Sequence, residues 1–265
     1  MPESITSHQN PRVKQVRRLR EKSAREAEGR FLIDSRRDLE RAVQCGYEID
    51  YVLVAPSLLR GELQELNETS VFHVSSEILE KAAYRENPEG LVAVMKTPVE
   101  KGADTLETVP DWPVLSLVNL QKPGNIGALL RTADAAGFHT IFLIDSRLDL
   151  YNPNVIRSST GAVFLGNVFR LTADEARAFF KSRGYQVIGT HLEAAVDAYS
   201  LDYSRKTALL LGTEDVGLDN SWIPHCDEQV IIPMAGKLAD SLNVSVAGAV
   251  LMYEVLRQLR GRAEI

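Results

Sequence analysis

Runs of apolar residues that leave no face for water decide what the second half of this chain can become. Val114–Val118, Thr140–Ile144, Gln186–Ile188, Ala208–Leu211 and Gln229–Ile232 place hydrophobic residues at consecutive positions instead of alternating them with polar ones. A strand with one solvated face alternates. A strand covered on both faces does not, and parallel sheets enclosed by helices meet that condition. Helical stretches lie between the runs: residues 125–136, ending near Gly137, residues 173–183, and a long closing helix from Ser241 to about Leu259. The expectation is a mostly parallel α/β sheet over residues 113–265.

The first half repeats the pattern on a smaller scale. Phe31–Ile33, Tyr51–Val54 and Leu91–Met95 read as strands, and residues 36–45 and 76–84 as helices. Residues 11–28 read as one helix, opened by Pro11, with Val13, Val16 and Leu19 on its apolar face. This gives a small α/β domain over residues 1–97. Residues 98–112 carry Pro98, Gly102 and Pro110 without periodicity and read as a linker to the larger domain, 113–265.

Charge is unevenly spread. The formal net charge is −6, yet residues 1–30 hold eight basic residues against four acidic ones, a local +4. A basic patch on an acidic body can still bind phosphate, because screening confines Coulomb effects to about 10 Å. A solvated charged helix is the plain alternative, at even odds. Cys45 and Cys226 are far apart and lack neighbouring ligands, so neither a disulfide framework nor a metal site is expected, and a reducing, cytoplasmic setting fits. The opening residues have no apolar core of the secretory kind.

Ligands of open parallel sheets bind at the carboxyl ends of the strands. Three such ends are followed by loops rich in glycine and polar side chains: residues 119–127, leading into a helix that carries Arg131; residues 212–218; and residues 233–245. No Gly-x-Gly-x-x-Gly fingerprint or Walker lysine is present. Taken singly, each loop is ordinary turn chemistry. Ser241 would cap a helix, Arg131 would be a surface residue, Glu214 a solvated acid, and Ile232 and Leu242 core.

Together the loops have an identity. KPGNIGALLRTADAAG (122–137), LGTEDVGL (211–218) and IPMAGKLADSLNVSVAGA (232–249) resemble, in order, the three signature motifs of the SpoU/TrmH RNA 2'-O-ribose methyltransferases. HQNPRVKQVRRLREKSAREAEGRFLI (8–33) is similar to the opening of members that act on ribosomal RNA. Three departures stand out: Thr213 and Asp215 where Asn and Gly are common, one extra residue between Met234 and Ser241, and Ile33-Asp34-Ser35-Arg36 in place of Ile-Glu-Gly.

The resemblance implies a trefoil-knotted α/β methyltransferase domain, a homodimer, S-adenosylmethionine as cofactor and RNA, ribosomal RNA first, as substrate. It implies catalytic roles for Asn125, Arg131, Glu214, Ser241 and Asn243, and cofactor contacts at Gly212, Ile232, Met234 and Leu242. Arg12, Lys14, Arg17, Arg18 and Arg36 are the expected RNA-binding residues. Arg157–Ala162 also matches a family segment, expected at an RNA or dimer surface. Transfer RNA, a drug-resistance site on the ribosome, and a non-catalytic assembly role remain as alternative readings. A small-molecule enzyme using a nucleotide is disfavoured by the missing phosphate loop.

Overall fold

The computed structural model describes residues 3–61, 71–86, 88–108, 113–191, 196–213 and 217–263. In chain order the elements begin with β1 (Glu3–Ile5), α1 (Pro11–Arg18), α2 (Lys22–Glu28), β2 (Arg30–Ile33) and α3 (Arg36–Gln44). There follow β3 (Ile49–Val54), β4 (Val71–Val74), α4 (Ser76–Ala82) and β5 (Leu91–Lys96). The second half contains β6 (Val114–Val118), α5 (Pro123–Ala136), β7 (Thr140–Ile144), α6 (Pro153–Ser159), β8 (Val168–Leu171) and α7 (Ala173–Arg183). It closes with β9 (Gln186–Thr190), β10 (Val196–Asp197), β11 (Thr207–Leu211), β12 (Glu228–Ile231) and α8 (Val244–Ala263).

Two compact units form: Met1–Val99 with Asp149–Gly166, and Glu100–Leu148 with Asn167–Ile265. Asp149–Gly166, read from sequence as part of the larger domain, therefore packs with the N-terminal half. Residues 100–108, read as linker, belong to the second unit. Lys101 bridges Phe169, and Leu106 packs against the core there. Residues 109–112 of that stretch lie outside the described residues.

In the first unit, β1-β4-β3-β5-β2 form a mixed sheet: β1, β4 and β3 run parallel, while β5 is antiparallel to both β3 and β2. Asn10 caps α1, its side chain accepting from Arg12 N at 2.9 Å. Val13, Val16 and Leu19 are fully buried, as their spacing predicts. The single helix expected over 11–28 is two helices. Arg25 of α2 is only 4% exposed and turns back on the break. Its Nη1 donates to the carbonyls of Leu19 and Arg20, each at 2.7 Å, satisfying groups that a helix end leaves open. Its Nη2 holds Asp149 at 2.6 Å. An arginine read as part of a solvated face is thus interior. The same inserted segment stacks Tyr151 on Phe31, centroids 4.4 Å apart, and bonds the Tyr151 hydroxyl to that of Tyr47 at 3.1 Å.

The second unit has the sheet order β10-β12-β9-β11-β6-β7-β8 among the described residues, every pairing parallel. β6, β7 and β11 are buried along their whole length, which is what unbroken apolar runs require. α8 packs on α5 by way of Gly248. A Cβ there would overlap Leu129 Cδ2 and stand 2.7 Å from Leu211 Cδ1, so a side chain at position 248 would have to push both leucines aside. Among the described residues no helix is long and apolar enough to cross a membrane.

Candidate active site

A pocket opens at the carboxyl ends of β9, β11 and β12, enclosing about 720 Å³ when its open mouth is counted. Each strand delivers residues as it ends: Thr190 and His191 from β9, Gly212 and Thr213 from β11, Ile232 and Met234 after β12. Asp240, Ser241 and Leu242 close one side, and Val244 and Ala247 of α8 another.

All four expected cofactor contacts, Gly212, Ile232, Met234 and Leu242, line this pocket, and Ser241 joins them. The loops that carry them follow different strands, β11 and β12. The parallel topology alone brings their ends to one place. The lining is mixed: Gly212, the apolar Ile232, Met234, Leu242 and Val244, and the polar Thr190, Thr213, Asp240 and Ser241.

Gly212 has a different reason to be glycine than close approach by a ligand. The chain doubles back after β11, with Thr213 N donating to Gly217 O at 2.8 Å and Gly217 N to Thr213 O at 3.0 Å. A Cβ at 212 would overlap the Gly217 carbonyl. Gly212→Ala should therefore force the turn apart and cost about 1–3 kcal/mol, as overpacking does. Urea unfolding measures this, and an unchanged midpoint would show that the turn yields freely.

Ser241 does not begin the last helix. α8 starts at Val244, and Asn243 caps it: its Oδ1 accepts from Ser245 N at 2.9 Å and from Ser245 Oγ at 2.6 Å. Its Nδ2 donates to Asn125 Oδ1 at 3.3 Å. The cap thus joins the first and third motifs across 118 residues. Ser241 Oγ bonds Asp240 Oδ1 at 3.1 Å.

Arg131 lies on α5, exposed, and its side chain has no hydrogen bond or ion pair among the described residues. Asn125, Arg131 and Asn243 do not line the pocket. Glu214 and Asp215 lie outside the described residues. Sequence reasoning missed Thr190, His191 and Asp240. The strand-end rule that located the other loops would have found the first two, because they directly follow the run Gln186–Ile188.

Cys226 lies beside β9, its Sγ 2.8 Å from where a Gly189 Cβ would stand. Burial, reinforced by the Asp227 charge, pushes its thiol up to about 11, so it is not a thiolate nucleophile near neutral pH.

The expected RNA contacts lie on the first unit. Lys14 is exposed. Arg12 sits 3.9 Å over the Phe72 ring. Arg17 reaches His8 Nδ1 at 3.2 Å, Arg18 pairs with Glu28 at 2.9 Å, and Arg36 with Glu40 at 2.6 Å.

Residues 113–253 match the sequence model of the SpoU rRNA methylase family, more than half of the chain. The chain belongs to the SpoU rRNA methylase family. Residues 10–93 match the MRM3-like substrate-binding domain. The chain is 30% identical over 256 residues to the 23S rRNA (guanosine(2553)-2'-O)-methyltransferase RlmP of Bacillus subtilis, covering 95% of this chain and 98% of that one. A crystal structure described as an RNA 2'-O ribose methyltransferase superposes with a TM-score of 0.84 at 39% identity, covering 96% of this chain and 98% of the other. The SpoU methyltransferase AviRb of Streptomyces viridochromogenes gives a TM-score of 0.83 at 30% identity, covering 96% and 99%. AviRb has also been solved in complex with AdoMet. Both compact units of this SpoU protein thus have counterparts in solved relatives, with almost the whole length of each matched.

Proposed function

We propose that this chain transfers the methyl group of S-adenosylmethionine to a ribose 2'-hydroxyl in RNA, with ribosomal RNA as the substrate class. One observation carries the reading: the loops that follow three separate parallel strands, two of them bearing the second and third motifs, meet around a single pocket at the carboxyl ends of those strands. The lining suits the cofactor. Main-chain groups can read an adenine edge, apolar side chains can cover its faces, and the Asp240 carboxylate favours a positive ligand.

The cofactor would supply an already activated methyl group, so the protein's task is orientation and charge management. Gly212, Ile232, Met234 and Leu242 would hold the donor. The Asn243–Asn125 bond would fix the start of α5 relative to α8, which sets the direction of Arg131. Arg131 would hold the target ribose and its phosphate and offset negative charge growing on the 2'-oxygen. A guanidinium is a poor proton acceptor, so its part is positional and electrostatic. Glu214 or a substrate phosphate would take the proton, and Ser241 would support the ribose.

Arg12, Lys14, Arg17, Arg18 and Arg36 would contact RNA phosphates. The exposed pair Arg18–Glu28 holds its partners by no more than about 1 kcal/mol and can exchange for phosphate, as can the half-buried Arg36–Glu40 pair on its solvent side. We also read residues 232–263 as threaded into a trefoil knot, the protein as a cytoplasmic homodimer, and the dimer face as including α8. Val246 and Tyr253 are 48% and 50% exposed on that helix.

The test is incubation with methyl-labelled S-adenosylmethionine and total RNA, followed by mapping of alkali-resistant linkages. Label on ribosomal RNA ribose is expected. Label on a base would overturn the reaction, and label confined to transfer RNA would overturn the substrate class.

A further inference from the structure

Around Tyr84, in the first unit, lies a patch that, apart from Arg157, none of these assignments uses. Tyr84 follows α4 and is 36% exposed. Asn154 Nδ2 donates to its hydroxyl at 3.3 Å, which steadies the ring from the inserted segment. The Arg20 guanidinium lies 6.0 Å from the ring centroid. Arg157 lines the same shallow pocket as Tyr84, Arg85 and Asp34. Arg85 is committed: it bonds Asp34 at 3.0 Å and Glu89 at 3.1 Å. Arg20 and Arg157 are exposed, and among the described residues neither side chain has a hydrogen bond or an ion pair.

The patch therefore offers an aromatic face held by a hydrogen bond, two uncompensated cations, and a half-buried polar floor where Arg85 offsets Asp34. A ligand that matches is flat on its faces and anionic at its ends. A protein partner would need a far larger apolar area than one tyrosine provides. A base-paired duplex hides its base faces, whereas unpaired bases stack readily on tyrosine rings and arginine planes. We propose that Tyr84, flanked by Arg20 and Arg157, seats one unpaired nucleobase of the RNA substrate, with the arginines holding the adjoining phosphates. This rests on the reading that the chain acts on RNA. It assigns Arg157 and Asn154, which come from the segment inserted between β7 and β8, to substrate binding.

The test uses the full-length protein and fluorescence anisotropy with single-stranded oligouridylate and oligoadenylate of about twelve nucleotides, a length within single-strand site sizes. An abasic strand of equal length is the control. The wild-type protein should bind the base-bearing strands about tenfold more tightly than the abasic one, the lower part of the range for stacking one base. Tyr84→Ala should remove that difference, and Tyr84→Phe, which keeps the ring, should restore most of it. Arg157→Ala should weaken all three strands and reduce the slope of log affinity against log salt by about 0.7, the loss of one phosphate contact. Equal wild-type affinity for abasic and base-bearing strands overturns the proposal even if a variant fails to fold. So does a Tyr84→Ala protein that binds like wild type. Calorimetry with S-adenosylmethionine separates the two readings. No cofactor binding beside an intact Tyr84 dependence sinks the methyltransferase reading alone; cofactor binding without that dependence sinks this proposal alone.

Discussion

Arg131→Ala should lower methyl transfer by about 100- to 1000-fold, the usual loss when one positioned donor to a developing oxyanion is removed. Stability should not change, because Arg131 is exposed and its side chain bonds nothing among the described residues. S-adenosylmethionine affinity should also hold, since Arg131 is not among the pocket's lining residues. Arg131→Lys keeps the charge but loses the planar fork, so it should recover only a small part of the rate. Single-turnover kinetics with saturating cofactor would measure the effect on the transfer step. Wild-type rates in Arg131→Ala would remove this arginine from the mechanism and move attention to Ser241 and the Asn125–Asn243 pair.

The second large effect is expected in the first unit. Arg25→Ala should destabilise it by about 3–5 kcal/mol, because Asp149 would be left buried without a counter-charge. Asp149 is 11% exposed in its side chain and Arg25 4%, so water cannot replace the missing partner easily. Two helix-end carbonyls, at Leu19 and Arg20, would lose their donor as well. Replacing both partners, Arg25→Met with Asp149→Leu, should return much of the loss, as apolar substitutes for buried pairs often do. Chemical denaturation followed by the near-ultraviolet signal of Tyr47 and Tyr151 reports on this region. A denaturation midpoint in Arg25→Ala equal to wild type would mean that the Arg25–Asp149 pair contributes nothing to the unit.

The pattern of that second unit was legible because buried parallel strands have no polar alternation to disguise them. β6, β7, β9, β11 and β12 are all found near the apolar runs. β8 was missed because Arg170 interrupts Val168–Leu171. In the structure its guanidinium leaves the edge strand to reach Glu100 and the carbonyls of Ser146 and Leu148. β1 and β10 span three and two residues, too short for any period to register. The break between α1 and α2 was hidden because Val13, Val16 and Leu19 keep helical spacing up to the break itself. The returning Arg25 takes up the carbonyls at the break, and a contact of that kind has no local signature.

The candidate site divides in the same way. Cofactor-side residues could be read from strand ends and motifs, since both are properties of the chain alone. The partnership of Asn125 with Asn243 needed coordinates, because it depends on how closely α8 can lie against α5. So did the true cap at Asn243, which the competing Ser241 obscured: both residue types favour caps, and only backbone geometry chooses between them. The membership of Asp149–Gly166 in the N-terminal unit rests on aromatic and ionic pairings more than a hundred residues apart, for which sequence periodicity carries no signal.

The strand order has a consequence for biosynthesis. β6 is made first in its sheet, yet it ends up between β7 and β11, and β11 lies roughly ninety residues downstream. As the nascent chain leaves the ribosome, β6 and β7 must wait with one long apolar edge open. Meanwhile the N-terminal unit cannot be finished until Gly166 has emerged, by which time that edge is already exposed. The N-terminal unit can close once Gly166 has emerged, whereas the second sheet waits for β11 and β12, so a translational pause between residues 166 and 207 would prolong the exposure of that edge and favour aggregation.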